Sequence, residues 1–106
     1  MEKAYGIVEV KTDNLSSSDI DNIIALYKNM SVNAHITTYD DAVSAQYDGS
    51  ETSIATVNEV LERLFDTYKD NLVVVELQIA DMNDQVINGY YFDVFDKDQE
   101  IAITPA

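Results

Sequence analysis

One histidine, His35, no cysteine and twenty aspartates and glutamates leave carboxylates as the side chains with which chemistry would have to be done. Without cysteine there is neither a disulfide framework nor a thiolate zinc site. His35 lies between Ala34 and Ile36 in a β-branched stretch and reads as a strand residue on a partly solvated face. No nucleophile-elbow pattern accompanies it. The glycines, Gly6, Gly49 and Gly89, are too far apart for a phosphate-binding loop. Gly6 and Gly89 are expected at bulges or close sheet contacts, and Gly49 at a turn.

Among the carboxylates, Asp96, Asp98 and Glu100 occupy alternate positions, as at the start of a calcium loop. A complete loop needs glycine at its sixth position and glutamate at its twelfth. Here the sixth is Ile101 and the twelfth falls beyond Ala106. The run therefore reads as a charged loop that discourages edge pairing, with weak calcium or magnesium binding as the chemical alternative. Asp40-Asp41 and Asp81/Asp84 read as hairpin-turn acids. No catalytic residue, cofactor or resident metal is expected, and the chain is read as a non-enzyme.

The most informative pattern is a row of acids on a helix expected near 53–70. Glu59, Glu62, Asp66 and Asp70 project opposite its apolar stripe, three, four and four residues apart. At ~1.5 Å rise per residue the carboxylates repeat every ~4.5–6 Å. Phosphates on a nucleic-acid strand rise ~3.4 Å each, and more along the backbone path. Glu59 can pair with Arg63 and Asp66 with Lys69, whereas Glu62–Asp66 and Asp66–Asp70 are like-charge pairs. Such a row does little for helix stability, so it reads either as a solvated face or as a patch that meets a basic groove. Tyr91, next to Tyr90 in a strand, is expected on the opposite face from its neighbour and is a candidate contact, because tyrosine is enriched at binding hot spots. The partner-binding set is thus Glu59, Glu62, Asp66, Asp70, Asp96, Asp98, Glu100 and Tyr91.

Overall charge supports the choice of partner. The formal net charge is −14, and the basic residues Lys3, Lys11, Lys28, Arg63, Lys69 and Lys97 are scattered singly. Direct binding to nucleic acid or to an anionic membrane is not expected on that ground, since both draw on clustered cations. A basic protein, such as a nucleic-acid-binding enzyme or complex, is the expected partner. Acidity as salt adaptation sits poorly with ten isoleucines and eight asparagines. In general character the chain resembles the small acidic inhibitors of phages and mobile elements, or immunity proteins against nucleases, without a motif that marks one family. The competing reading is an adaptor or regulatory domain that dimerises or binds a peptide through a sheet face or edge strand. No basic-then-apolar leader follows Met1, and apolar runs such as Leu72 to Val75 fall far short of a bilayer span, so a cytoplasmic location is expected, as monomer or dimer.

The elements that must position these residues follow from periodicity. With 106 residues and 46% hydrophobic content, one α+β domain is expected over 1–106. Residues 4–11 alternate, with Tyr5, Ile7 and Glu9 opposed to Val8 and Val10. Ser16–Ser18 cap a helix whose apolar face is Ile20, Ile23, Ile24, Tyr27 and Met30. Strands over 33–39 and 42–47 follow, broken by Asp48-Gly49-Ser50. The second helix carries Ile54, Val57, Val60, Leu61, Leu64, Phe65 and Tyr68. Strands over 72–80 and 86–95 come next, the first with Val73, Val75, Leu77 and Ile79 on one face, and Asn88-Gly89 marks either a bulge or a turn. A short edge strand is expected over 101–104. The order resembles the ferredoxin-like, split βαβ arrangement: a βαββαβ core with a C-terminal β-hairpin extension and two helices on one face of an antiparallel sheet.

Overall fold

The computed structural model describes residues 1–95 and the strand at 102–105. Its elements are β1 (Glu2–Lys11), α1 (Ser17–Met30), β2 (His35–Thr38), β3 (Ala42–Thr52), α2 (Ile54–Tyr68), β4 (Leu72–Ala80), β5 (Val86–Asp93) and β6 (Ala102–Pro105). The strands form one sheet in the order β2-β3-β1-β4-β5-β6, antiparallel at every pairing. β2-β3-β1-β4 with α1 and α2 is the ferredoxin-like core, and β5 with β6 extends it past β4. Both helices lie on the sheet face that presents Val8, Val43, Ala45, Val75, Leu77, Tyr90 and Phe92, where they bury Ile23, Tyr27, Val57, Leu61 and Leu64.

Local sequence accounts for where each helix begins. Ser16 accepts from the backbone N–H of Asp19 at 3.2 Å, and the Asp19 carboxylate accepts from Ser16 N–H at 3.2 Å, a reciprocal capping box. Ser53 caps α2 by accepting from Thr56 N–H at 3.2 Å. The first turn of α2 has no acid of its own, and the Glu2 carboxylate, from β1, accepts from Ile54 N–H at 3.4 Å. That is the sign the helix dipole favours.

The end of α1 is held by hydroxyls from β3. Tyr47 donates to the Tyr27 carbonyl at 2.9 Å, and Thr52 donates to the Met30 carbonyl at 2.5 Å. Tyr27 in turn donates to the Val43 carbonyl at 2.8 Å. The sheet therefore satisfies the Met30 carbonyl, which helix geometry leaves without an intrahelical donor, and adds a second donor at Tyr27 O, which already accepts from Ser31 N–H. β3 can do this because it runs on to Thr52, past the break expected at Asp48-Gly49-Ser50. Gly49 forms no turn. It is an extra residue between Asp48, paired with Tyr5, and Ser50, paired with Ala4, and its φ of 74° suits glycine.

Two further bulges reset the faces of the sheet. Between Val74 and Leu72 on β4, Val73 has no partner residue on β1, so Leu72 rather than Val73 enters the core. On β5, Ile87 is the extra residue opposite Ile79 and Ala80, which makes Asn88-Gly89 part of a bulged strand rather than a turn. The β4–β5 turn is built instead on Asp81, whose carboxylate accepts from Asn83 and Gln85 N–H at 2.8 and 3.0 Å. β5 ends at Asp93, two residues short of its expected end.

Gly6 is where the sheet is tightest. Its φ is 132°, and a Cβ placed there would sit 1.9 Å from the Glu76 carbonyl oxygen of β4. Gly6→Ala is therefore expected to cost about 3 kcal/mol or more, since backbone rather than a flexible side chain would have to move. Urea denaturation checks this. Thr52→Val, which strips Met30 O of its donor, is expected to cost about 1–3 kcal/mol; Tyr47→Phe should cost less, because Ser31 N–H also donates to Tyr27 O.

Burial raises the phenol pKa of Tyr47, and burial, then neighbouring Tyr47 and Glu9, raise that of Tyr27. Each neutral phenol is thus favoured by the fold. This contribution is complete below the unfolded value of ~10 and is lost as pH rises toward the folded values. Absorbance titration at alkaline pH should show these two phenolates appearing together with loss of structure, and Tyr47→Phe should make the transition shallower.

Candidate interaction surfaces

The two-layer architecture gives the molecule two distinct acidic surfaces. The first is the outer side of α2. Ser53 starts this helix, and the buried stripe Val57, Val60, Leu61, Leu64 and Tyr68 fixes its rotation. That leaves Glu59, Glu62 and Asp66 exposed, as their spacing predicts. Asp70 departs from the row, because α2 ends at Tyr68 and Asp70 sits in the turn before β4. The Glu59 carboxylate lies 3.1 Å from the Arg63 guanidinium, with both side chains about two-thirds exposed (66% and 65%). Asp66 and Lys69 do not form the ion pair that their spacing allows. Lys69 instead lies over the Phe65 ring, 5.6 Å from its centroid, and Phe65 packs edge-on against Phe92 at 5.8 Å.

Beside this row, Leu26, Asn29, Thr56, Glu59, Val60 and Arg63 line a cleft of about 310 Å³ between the helices. At the other end of that interface the Tyr68 hydroxyl accepts from Asn22 at 2.9 Å.

The second surface is the sheet face turned away from the helices. One row across it runs His35 (β2), Gln46 (β3), Ile7 (β1), Glu76 (β4) and Tyr91 (β5). A neighbouring row runs Asp48, Tyr5, Gln78 and Gly89, and the row on the other side includes Ser44, Glu9, Val74 and Asp93. Ser44 donates to the Glu9 carboxylate at 2.6 Å. Lys3 and the Tyr5 hydroxyl converge on Asp84 at 3.5 and 3.3 Å, at the mouth of the β4–β5 turn. The centre of the face is an open groove of about 610 Å³, lined by Tyr5, Ile7, Gln46, Asp48, Glu76 and Gln78 among others. His35 is exposed on edge strand β2.

The structure does not gather the candidate contact residues into one site. Tyr90 turns toward α2, where its hydroxyl donates to Asn58 at 2.5 Å, and Tyr91 therefore faces the other way, 44% exposed on the open sheet face. Glu59, Glu62 and Asp66 lie on the far side of the molecule from it. Asp96, Asp98 and Glu100 lie outside the described residues. Sequence reasoning missed the cross-strand partners of Tyr5, Ile7 and Tyr91. Their alternation was readable, but which strands flank them depends on sheet order, which no local pattern carries. Among the described residues no three His, Asp or Glu side chains converge as a metal site, and no helix is long and apolar enough to cross a membrane.

Of the α2 acids, Glu59 supports the helix through Arg63, whereas Glu62 and Asp66 do not serve it. Glu62→Gln and Asp66→Asn should each leave the chain as stable or raise stability by about 0.2–0.5 kcal/mol, by relieving a like-charge pair four residues apart. Thermal melts at low and high salt check this, and the gain should shrink as salt rises.

The chain matches no protein-family model, and no curated protein or solved structure is significantly similar to it.

Proposed function

We propose that this chain is a non-enzymatic acidic binding protein that inhibits a nucleic-acid-binding protein or nuclease by occupying its basic site. The role is of the kind played by small phage or mobile-element inhibitors and by immunity proteins. The observation that carries the reading is the exposed row Glu59, Glu62 and Asp66 on a helix whose rotation is fixed by its buried stripe. One of the three is paired, through Arg63, and that pair is itself open to solvent. Because the helix already holds the backbone of the row in place, docking has only the side-chain rotamers left to order. The net charge of −14 adds a long-range field that speeds encounter with a cationic partner and weakens with salt.

An adaptor or regulatory role through the sheet is the second reading. It is favoured by the exposure of Ile7 (37%) and Tyr91 (44%) on a face that the helices leave uncovered. Sedimentation across a range of concentrations separates the inhibitor from an adaptor that dimerises, because only the latter gains mass with concentration; an adaptor that binds a peptide is told apart by a partner that high salt does not release.

The direct test is capture of binding proteins on the immobilised chain, followed by elution with salt and, separately, with DNA or RNA. The expected result is a nucleic-acid-handling protein released by both. The variant with Glu59→Gln, Glu62→Gln, Asp66→Asn and Asp70→Asn is expected to bind at least about tenfold more slowly. A captured partner that resists both eluents would defeat the reading.

A further inference from the structure

Because α1 and α2 both pack on one side of the sheet, its other side meets no covering element among the described residues. On that face two cross-strand pairs repeat the same combination. Tyr5 on β1 stands directly opposite Asp48 on β3, and Tyr91 on β5 stands directly opposite Glu76 on β4. Directly opposed residues have Cβ atoms about 4.5–5.5 Å apart. Each pair thus sets a tyrosine and a carboxylate side by side across two strands; the Tyr5 ring leans over Gly49, next to Asp48, with its hydroxyl donating to Asp84. Ile7, 37% exposed, is Glu76's partner on the β1 side.

This combination is selective for one cation. A guanidinium is planar and weakly hydrated, so it can stack on a phenol ring while its N–H fork donates to the adjacent carboxylate. An ammonium is a compact, strongly hydrated point charge and gains less from the ring. The charge of the face agrees. Glu9, Asp48, Glu76 and Asp93 lie on it, while the lysines of its central strand, Lys3 and Lys11, stand at the two ends of β1. Lys3 is already engaged by Asp84. The chain's one arginine is Arg63, on α2. A second copy would bring carboxylates against carboxylates, and nucleic acid would be repelled.

The spacing of the pairs limits the shape of the occupant. They are two strand spacings apart across the sheet, ~10 Å, and two residues apart along it, ~7 Å, which makes ~12 Å in all. An extended chain covers ~13 Å from residue i to i+4, and the side chains of i, i+2 and i+4 share one of its faces. We propose that the open sheet face docks an extended, arginine-bearing segment of a partner protein. Arginines at i and i+4 seat on Tyr5–Asp48 and Tyr91–Glu76, and an apolar residue at i+2 rests near Ile7. The central groove, about 610 Å³, is of a size to take such side chains. This inference rests on the reading of the chain as an acidic binding protein and names a surface and ligand chemistry for it.

The test is a titration of the full-length, ¹⁵N-labelled chain with a glycine-flanked Arg-Ser-Leu-Ser-Arg peptide and with its lysine counterpart, followed by NMR shifts. The expected result is shifts centred on Tyr5, Ile7, Gln46, Glu76 and Tyr91, with the arginine peptide the tighter ligand. Glu76→Gln should weaken it about tenfold, the loss of one charge-assisted hydrogen bond, and Tyr91→Leu should lessen the preference for arginine over lysine, leaving the part that Tyr5 supplies. Both positions are exposed, and circular dichroism confirms that the variants fold; the wild-type shift map needs no variant. Shifts on Glu59, Glu62 and Asp66 in place of the sheet would overturn the sheet assignment and leave the acidic-binder reading standing. Equal binding of the two peptides, or shifts that follow protein concentration without peptide, also overturns it. No shifts with either peptide, together with no salt-sensitive partner on the immobilised chain, removes both.

Discussion

The close approach of β1 and β4 at Gly6 is the constraint on which the rest of the molecule depends. β1 is paired along nearly its whole length with β3 on one side and β4 on the other, so its path sets the register of both halves of the core. At Gly6 the Glu76 carbonyl oxygen occupies the place where a side chain would begin. A strand that could not come this close would shift against β4. A shift of one residue would exchange Val8 and Val10 for Glu9 and Ile7 in the core.

Register alone does not seat the helices. α1 is fixed by the hydroxyls of Tyr47 and Thr52: Thr52 supplies the donor that Met30 O lacks, and Tyr47 adds a second donor to Tyr27 O. The bulge at Gly49 is part of this device, because it lets β3 continue in the sheet while changing the phase of Ser50 to Thr52 beyond it. Among the described residues no buried side-chain nitrogen or oxygen lacks a partner. Polar groups in this core therefore define geometry at little cost in desolvation.

With the core satisfied in this way, the carboxylates are left for the exterior. Some stand where local stability gains nothing from them, Glu62 and Asp66 on the outer turns of α2 among them. Self-repulsion in such a charge distribution destabilises the compact state modestly, and the same field accelerates encounter with cationic surfaces. The two surfaces differ in kind. The α2 row is a line of charge with weak shape, whereas the sheet face joins charge to rings, an exposed isoleucine and a groove. Those features select among cations as well as attracting them.

By itself the sequence determined the elements whose causes are local. The serine caps, the helical stripes, the alternation in β1 and the opposite orientation of Tyr90 and Tyr91 all follow from nearest neighbours along the chain. The ferredoxin-like order followed from the succession of those elements. The bulges at Gly49, Val73 and Ile87 were decided by the tertiary structure, because a bulge is a mismatch between two strands, and a glycine in one of them marks only where a bulge could form. The same holds for the release of Asp70 from the acidic row and for the Lys69–Phe65 contact, which depends on Phe92 holding the ring. It holds most for the juxtaposition of Tyr5 with Asp48 and of Tyr91 with Glu76. Their separations in sequence are 43 and 15 residues, and only the pairing of whole strands brings each carboxylate to its ring.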